Sequence, residues 1–350
     1  MGKLLWPQGG WRMWMRRAMS AGVLLLASCG GGADSAGGGA GDSQAGVGSG
    51  GTGSYSNGPI TAFGSIVVNG VHYDHMSAKS ITKMGGNEKE ESAEHAPSEL
   101  QKGMTVEVDV AAPADGGGLT IRFGSDLLGK VSEVNPDVDV STGVLKASGT
   151  VTVMGHTVYV DDTTYLGDGL TKLSDLRVND VVEVYGYGDP LKGAYLATRI
   201  ERKSAAYTDS YFVRGVVKNL VVDTDQISCD IGGQHMLYPR DGSAPLVSEG
   251  AVARAELYQV ESAEGWLASR VKTVAPLAKV DRSDAAVTGP VTGVDAIPTH
   301  FSVNGIPVDT SLMGNCLNCV AMPPLGKAVM VKGSFVNGVI VATEVKATLP

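Results

Sequence analysis

The 350-residue chain carries 28 Lys and Arg against 37 Asp and Glu, a formal net charge of −9 at pH 7. The first 28 residues hold four of the basic residues and none of the acidic ones, so the remainder carries 24 against 37, a net charge of −13. Such an acidic chain is unsuited to nucleic-acid backbones, which require clustered Lys and Arg. Its 48 glycines predict many short elements and turns.

Residues 1–28 have the pattern of a removable export signal. Four basic residues precede the apolar run 18–27, which is too short to cross a bilayer as a helix. The run ends in Leu26-Ala27-Ser28-Cys29, which resembles the lipobox of bacterial lipoproteins, where the signal is cleaved and the cysteine is acylated. We therefore expect a signal peptide over residues 1–28 and lipidation at Cys29.

The segment after Cys29 is expected to be a membrane tether. Two or three acyl chains on one cysteine anchor a protein stably. Gly30, rather than an aspartate, follows the cysteine, and by resemblance to lipoprotein sorting in Gram-negative bacteria this favours the outer membrane. Residues 29–57 are rich in Gly, Ser and Ala, a composition typical of a flexible, disordered linker. A Gly-rich coil of this length has a mean reach of about 30 Å.

From residue 58 onward the sequence repeats a β-strand pattern four times. Each unit opens with a glycine-containing strand and continues with a hairpin whose turn is Asn-Gly, Met-Gly or Gly-Gly. Two strands of alternating apolar residues complete the unit. The leading glycines are Gly58, Gly129, Gly215 and Gly289, which are 71, 86 and 74 residues apart. Self-similarity at this period indicates tandem structural units.

This pattern predicts an all-β fold of tandem small antiparallel β-barrels of OB-like type. Four or five short strands in about 70 residues cannot bury both faces of a flat sheet, and closing the sheet into a barrel removes its exposed edges. The predicted units are 58–125, 126–205, 206–280 and 281–350. One large β-sandwich is the alternative. The acidic stretch 83–99 is expected to be a surface insertion in the first unit.

The repeated units resemble the domain of unknown function 5666 family, found in bacterial lipoproteins. The resemblance rests on Gly-Pro-Ile-Thr-Ala-Phe-Gly-Ser-Ile-Val-Val-Asn-Gly-Val at 58–71. It also rests on the recurring order of a leading glycine, a Val-x-Val strand and a final Ala-Thr-x-Ile strand. The family has no established activity. The resemblance therefore implies an architecture and an envelope location, without catalytic residues.

Cysteine usage suggests structural roles. After acylation of Cys29, Cys229, Cys316 and Cys319 remain, an odd number in an oxidising compartment. We expect a local Cys316–Cys319 disulfide with Cys229 as a buried free thiol. Pairing of Cys229 with one loop cysteine is an alternative. A metal or redox role of the Cys-x-x-Cys motif is a further alternative, although no helix signal precedes it to activate a thiol and its surroundings supply no further zinc ligands.

Other polar residues are interpreted as turn and surface groups. His72 and Asp74 share one face of a strand, but no third metal ligand accompanies them. Asp137, Asp139, Asp161 and Asp162 lack the spacing of an EF-hand loop, so turn and strand-edge roles are favoured over calcium binding. We predict no metal and no cofactor.

These observations favour a non-catalytic binding or scaffolding lipoprotein over an enzyme. Its expected partners are the membrane, through the lipid anchor, and an envelope protein or glycan, but not nucleic acid. We predict Tyr185, Tyr187 and Tyr195 to be exposed aromatic contacts. The alternatives are an envelope hydrolase or redox accessory protein that uses Cys316 and Cys319, and a passive structural spacer.

Overall fold

The structure, a computed structural model, describes residues 54–84, 93–139, 141–240, 247–314, 320 and 322–348. These residues form 22 β-strands and four single-turn 3-10 helices. The helices are His75–Ser77, Pro97–Glu99, Pro113–Asp115 and Leu173–Asp175. The prediction of an all-β chain is therefore confirmed. Within the described ranges, no helix has the length and apolar character needed to cross a membrane.

The strands form four successive groups, one for each sequence repeat. The first group contains β1 (Ser54–Ala62), β2 (Ile66–Val68), β3 (Val71–Tyr73), β4 (Ser80–Lys83), β5 (Thr105–Ala111) and β6 (Gly118–Phe123). The second contains β7 (Leu127–Val138), β8 (Leu145–Val153), β9 (His156–Val160), β10 (Tyr165–Leu166), β11 (Val181–Asp189) and β12 (Ala194–Arg202). The third contains β13 (Tyr211–Val222), β14 (Gln226–Ile231), β15 (Gln234–Pro239), β16 (Val252–Ser262) and β17 (Gly265–Thr273). The fourth contains β18 (Arg282–Val294), β19 (His300–Val303), β20 (Ile306–Asp309), β21 (Ala328–Val336) and β22 (Val339–Ala347).

The second, third and fourth groups each close into a five-stranded barrel. In the second, hydrogen bonding runs β7–β8–β9–β12–β11 and returns to β7. The third runs β13–β14–β15–β17–β16, and the fourth runs β18–β19–β20–β22–β21. The third and fourth strands in each of these orders are parallel, and all other neighbours in the ring are antiparallel. This small Greek-key barrel is of OB type, so the prediction of tandem OB-like barrels is confirmed.

The first group has the same strand order with one opening. Strand β1 pairs with β2 and β5, β2 pairs with β3, and β5 pairs with β6. Strand β4 pairs in parallel with β6, as β10 does with β12 in the second barrel. Among the described strands, no ladder joins β3 to β6. The first barrel is therefore open between these two strands.

Each leading glycine makes room for the hairpin turn of its own unit. The turns Asn69-Gly70, Met154-Gly155, Gly232-Gly233 and Asn304-Gly305 have φ values between 50° and 91° at both residues, as a two-residue hairpin turn requires. In every unit, a Cβ added at the leading glycine would lie closer than 3.0 Å to the first residue of that turn. The turn thus folds over the first strand, and a side chain at the leading glycine would force the turn residue to shift.

The first strands also connect the barrels. Strand β1 pairs in parallel with β18 of the fourth barrel, and β7 pairs with β13 of the third. Residues 54–57, assigned to the tether from the sequence, form the start of β1. The tether assignment is wrong for these residues because Tyr55 is buried. Its hydroxyl donates a 2.6 Å hydrogen bond to Glu107, and its ring centroid lies 5.2 Å from that of Phe335.

Candidate functional site

Two of the three tyrosines predicted as aromatic contacts are buried. Tyr185 and Tyr195 are each 1% exposed. Tyr185 packs into the hydrophobic core of the first unit. Tyr195 belongs to the hydrophobic core shared by the second and third barrels, and its hydroxyl donates a 2.8 Å hydrogen bond to the carbonyl of Arg214 in the third barrel. The prediction of exposure is wrong for both. The first unit covers Tyr185 on the outer face of the barrel, and Tyr195 faces the core beside Val158. Burial raises the pKa of both hydroxyls.

Tyr187 lies two residues after Tyr185 on the same outer face of the second barrel, but it is less buried. The pairing of β11 with β12 shifts register between Tyr185 and Gly186, because β12 carries one extra residue there, Thr198. The Tyr187 side chain is half-buried. Its hydroxyl is buried and has no hydrogen-bond partner among the described residues, and burial raises its pKa.

An aromatic and apolar row crosses the outer face of this barrel. Tyr159 on β9 is 45% exposed and lies opposite Thr150 on β8. On its other side Tyr159 neighbours Leu196 on β12, which lies opposite Tyr187 on β11. Neighbouring strands are about 4.8 Å apart, so Thr150, Tyr159, Leu196 and Tyr187 form a continuous row. We call this set the tyrosine row.

Hydroxyl groups border the tyrosine row. Thr157 precedes Tyr159 by two residues on the same face of β9, and it lies opposite Thr152. Thr152 Oγ1 lies 3.5 Å from Glu133 Oε2. Within the described residues, the hydroxyls of Thr150 and Thr157 take part in no hydrogen bond. The exposed tyrosine ring is thus flanked by hydroxyls that are free to bind a ligand.

Sequence reasoning missed Tyr159, although a local signal for it exists. In the run Val158-Tyr159-Val160 the two valines are buried in the barrel core. Because side chains alternate along a strand, the residue between two core valines must point outward. The alternation therefore identifies Tyr159 as an outward-facing aromatic residue. The register that aligns it with Leu196 and Tyr187 is visible only in the structure.

The aspartates considered as calcium ligands form turns. Asp139 Oδ1 accepts hydrogen bonds from the backbone N–H and the hydroxyl of Ser141, at 2.9 and 2.6 Å. Asp161 Oδ1 accepts the same pair from Thr163, at 2.8 and 2.6 Å. The predicted turn role of these two residues is confirmed, and the hydrogen bonds lower the pKa of Asp139. In the described part of the chain, no three His, Cys, Asp or Glu side chains gather as metal ligands.

Of the four cysteines, only Cys229 lies within the described residues. Cys29, Cys316 and Cys319 lie outside the described residues. Cys229 is buried in the core of the third barrel and is not in a disulfide. Burial raises the pKa of its thiol to about 12, and the nearby Asp230 and Glu249 carboxylates add to this.

Two segments of the chain match one family model, described as a domain of unknown function (DUF5666), over residues 140–201 and 288–346. These segments cover most of the second and fourth barrels. Two of the four barrels therefore match the DUF5666 family. No curated protein matches the sequence. The first and third units lie outside the matched residues but share the same strand order.

The three closed barrels present different residues at equivalent positions of the outer face. The tyrosine row lies in the first matched domain. In the second, the equivalent row runs from His300 through Asp309 and Val341 to Ser334. In the third barrel, Ser228, Leu237 and Leu267 align in the same way. The exposed aromatic residue at the centre of the row is thus specific to the second barrel among the three closed barrels.

Proposed function

We propose that this protein is a lipid-anchored, non-catalytic module of the bacterial cell envelope that binds glycan on the tyrosine row. The lipobox-like sequence ending at Cys29 supports the anchor. The observation that carries the binding proposal is the alignment of Tyr159 with Leu196 and Thr150 across three strands of one barrel face.

The chemistry of the row suits a sugar ring. A tyrosine ring offers a flat apolar face, on which the C–H face of a pyranose can stack, together with a polar edge. Leu196 extends the apolar surface, and the hydroxyls of Thr150 and Thr157 can exchange hydrogen bonds with sugar hydroxyls. In OB folds, the face of the second and third strands is the surface that binds oligonucleotides and oligosaccharides. The net negative charge of the chain disfavours the oligonucleotide.

The surrounding structure is expected to hold this face rigid. Gly186, which precedes Tyr187, donates its backbone N–H to Asp126 Oδ2 at 3.1 Å. Thr198, two residues after Leu196, donates its hydroxyl to the carbonyl of Gly103 in the first unit at 2.6 Å. A binding surface that is already ordered loses less conformational entropy when a ligand binds.

The path of the chain favours a binding module over a passive spacer. Strand β1 of the first unit pairs with β18 of the fourth, from Ser54 opposite Asp284 to Asn57 opposite Val287. This pairing brings the beginning of the first unit next to the beginning of the last. A spacer that depends on length would keep its terminal units apart.

A sedimentation experiment with purified peptidoglycan sacculi tests the glycan proposal. The mature protein is expected to sediment with sacculi, and Tyr159→Ala is expected to stay in the supernatant. Tyr165→Ala is the matched control, because Tyr165 is similarly exposed, at 39%, on the same barrel outside the row. Equal sedimentation of Tyr159→Ala and wild type, or no sedimentation of wild type, would contradict the proposal.

A further inference from the structure

The third barrel exposes three large apolar side chains on one hairpin. Tyr258 is 56% exposed, Val260 is 72% exposed and Leu267 is 44% exposed. All three lie on the hairpin formed by β16 and β17. The core of the barrel does not use them, because the neighbouring Leu257 and Trp266 fill it instead. Exposed apolar side chains that gather in one place commonly mark an interaction surface.

Strand register places these side chains together. Leu257 pairs with Ala268 and Glu261 pairs with Trp266, so residues 258–260 form a bulge opposite Leu267. On its other side, Leu267 neighbours Leu237 of β15. Tyr258, Val260 and Leu267 therefore form one apolar patch on the outer face of the barrel, which we call the hairpin patch.

The backbone beside the hairpin patch has a free edge. Strand β13 pairs with β16 from Val252 to Leu257, where Tyr211 is the last partner. Among the described strands, residues 258–262 of β16 have no partner other than β17, with which Glu261 and Ser262 pair. The side-chain amide of Gln259 donates a 2.5 Å hydrogen bond to the carbonyl of Asp209, at the start of this edge. An exposed strand edge next to apolar side chains is a template for the addition of another strand.

The rim of the hairpin patch is acidic. Glu261 and Glu264 are exposed at the hairpin tip. Arg270, farther along β17, lies 3.3 Å from Glu256, so its charge is already matched. Electrostatic complementarity therefore favours a cationic partner at the tip.

We propose that the hairpin patch binds an extended segment of a partner protein in which apolar residues alternate with Lys or Arg. The segment adds to β16 as a further strand and forms main-chain hydrogen bonds with residues 258–262. Its apolar side chains pack on Tyr258 and Val260, and its cationic side chains lie near Glu261 and Glu264. Three side chains are too few to build the roughly 800 Å² per partner of a stable dimer, so a short peptide segment fits better than a second copy of this chain.

Fluorescence anisotropy with two labelled peptides tests this inference on the full mature chain. One peptide alternates valine and lysine, and the other alternates valine and glutamate. The lysine peptide is expected to bind, more weakly as salt increases, and the glutamate peptide is expected not to bind. Val260→Lys should weaken binding by about tenfold or more, as expected for a central contact. Val144→Lys, at a 62% exposed site in the second barrel, should leave it unchanged.

Three results would overturn the inference. They are equal binding of the two peptides, equal binding by Val260→Lys and wild type, and no binding by wild type. Tyr159→Ala should bind the lysine peptide as wild type does, since Tyr159 lies on another barrel. Loss of peptide binding in Tyr159→Ala would also contradict an independent site.

Discussion

Asp126, in the connection between the first and second barrels, accepts a 2.7 Å hydrogen bond from the guanidinium of Arg214 in the third barrel. Asp126 also accepts hydrogen bonds from Thr105 of the first barrel, at 3.4 Å, and from the backbone of Gly186 of the second. Arg214 donates to the carbonyl of Asn304 in the fourth barrel, at 3.2 Å. One ion pair, with its carboxylate buried, therefore contacts all four barrels.

This pair is expected to make unfolding cooperative across the barrels. Arg214→Met leaves the Asp126 carboxylate buried without its charged partner, which typically costs about 3–5 kcal/mol. Lys346→Met is the control, since it removes a more exposed pair with Glu344 that is worth about 1 kcal/mol or less. Urea unfolding should show a much larger loss for Arg214→Met. Equal urea concentrations at the unfolding midpoints of the two variants would contradict the stabilising role of the Asp126–Arg214 pair.

The Glu183 carboxylate makes stability depend on pH in the acid range. Burial acts to raise its pKa, but the ammonium groups of Lys83 and Lys203 outweigh this and lower the pKa from 4.5 to about 2. A depressed folded-state pKa gives stability that is present above pH 4.5 and is lost as pH falls towards 2. The shift corresponds to about 3 kcal/mol.

Urea unfolding of wild type and Glu183→Gln between pH 7 and pH 2 measures this effect. Wild type should lose more stability than the variant as pH falls below 4.5, because glutamine does not titrate. Lys83 joins Glu183 from the first unit, at 3.5 Å, so the same variant should loosen the contact between the first two barrels. Parallel pH profiles for the two proteins would contradict the assignment.

The leading glycines are expected to be intolerant of any side chain. A Cβ at Gly289 would collide with the Asn304 side chain, whereas a Cβ at Gly293 of the same strand would be 3.8 Å from Ser302. Gly289→Ala should therefore destabilise the protein by about 1–3 kcal/mol, and Gly293→Ala should change it by about 0.5 kcal/mol or less. Thermal unfolding distinguishes the two. A neutral Gly289→Ala would refute the packing explanation.

Much of the fold follows from local sequence patterns. The turns at Asn69-Gly70 and Asn304-Gly305 are predictable because both of their residues need positive φ, which Asn and Gly adopt readily. The alternation of valines predicts the strands and their inner faces. The repeat of the leading glycine is also visible in the sequence, although its cause, the overlying turn, requires the structure.

The outer faces were harder to predict, since contacts between barrels decide their exposure. Tyr185 has the same local pattern as an exposed strand residue, but the core of the first unit covers it. Tyr55 lies in a segment whose glycine-rich surroundings suggest a linker. Its hydroxyl nevertheless donates a hydrogen bond to Glu107, 52 residues along the chain. These contacts depend on pairs of residues that are distant in sequence, so periodicity within one strand does not reveal them.

The lipid anchor and the cysteine assignments can be checked together by intact mass. The mature protein should begin at an acylated Cys29, and Cys29→Ser should leave the membrane fraction. With a Cys316–Cys319 disulfide, alkylation of the unfolded chain without reductant should modify one thiol, that of Cys229. In the folded protein Cys229 should resist alkylation, because burial raises its pKa to about 12. Three reactive thiols, or an unmodified Cys29, would contradict these assignments.

The most direct measurement of the central claim is the affinity of the mature protein for soluble peptidoglycan fragments, by titration calorimetry. If a sugar stacks on the tyrosine ring, Tyr159→Phe should retain binding and Tyr159→Ala should lose about tenfold or more in affinity. Leu196→Ala should weaken binding to a smaller extent, and Tyr165→Ala should bind as wild type does. Equal affinities for wild type and Tyr159→Ala would contradict glycan binding on the tyrosine row.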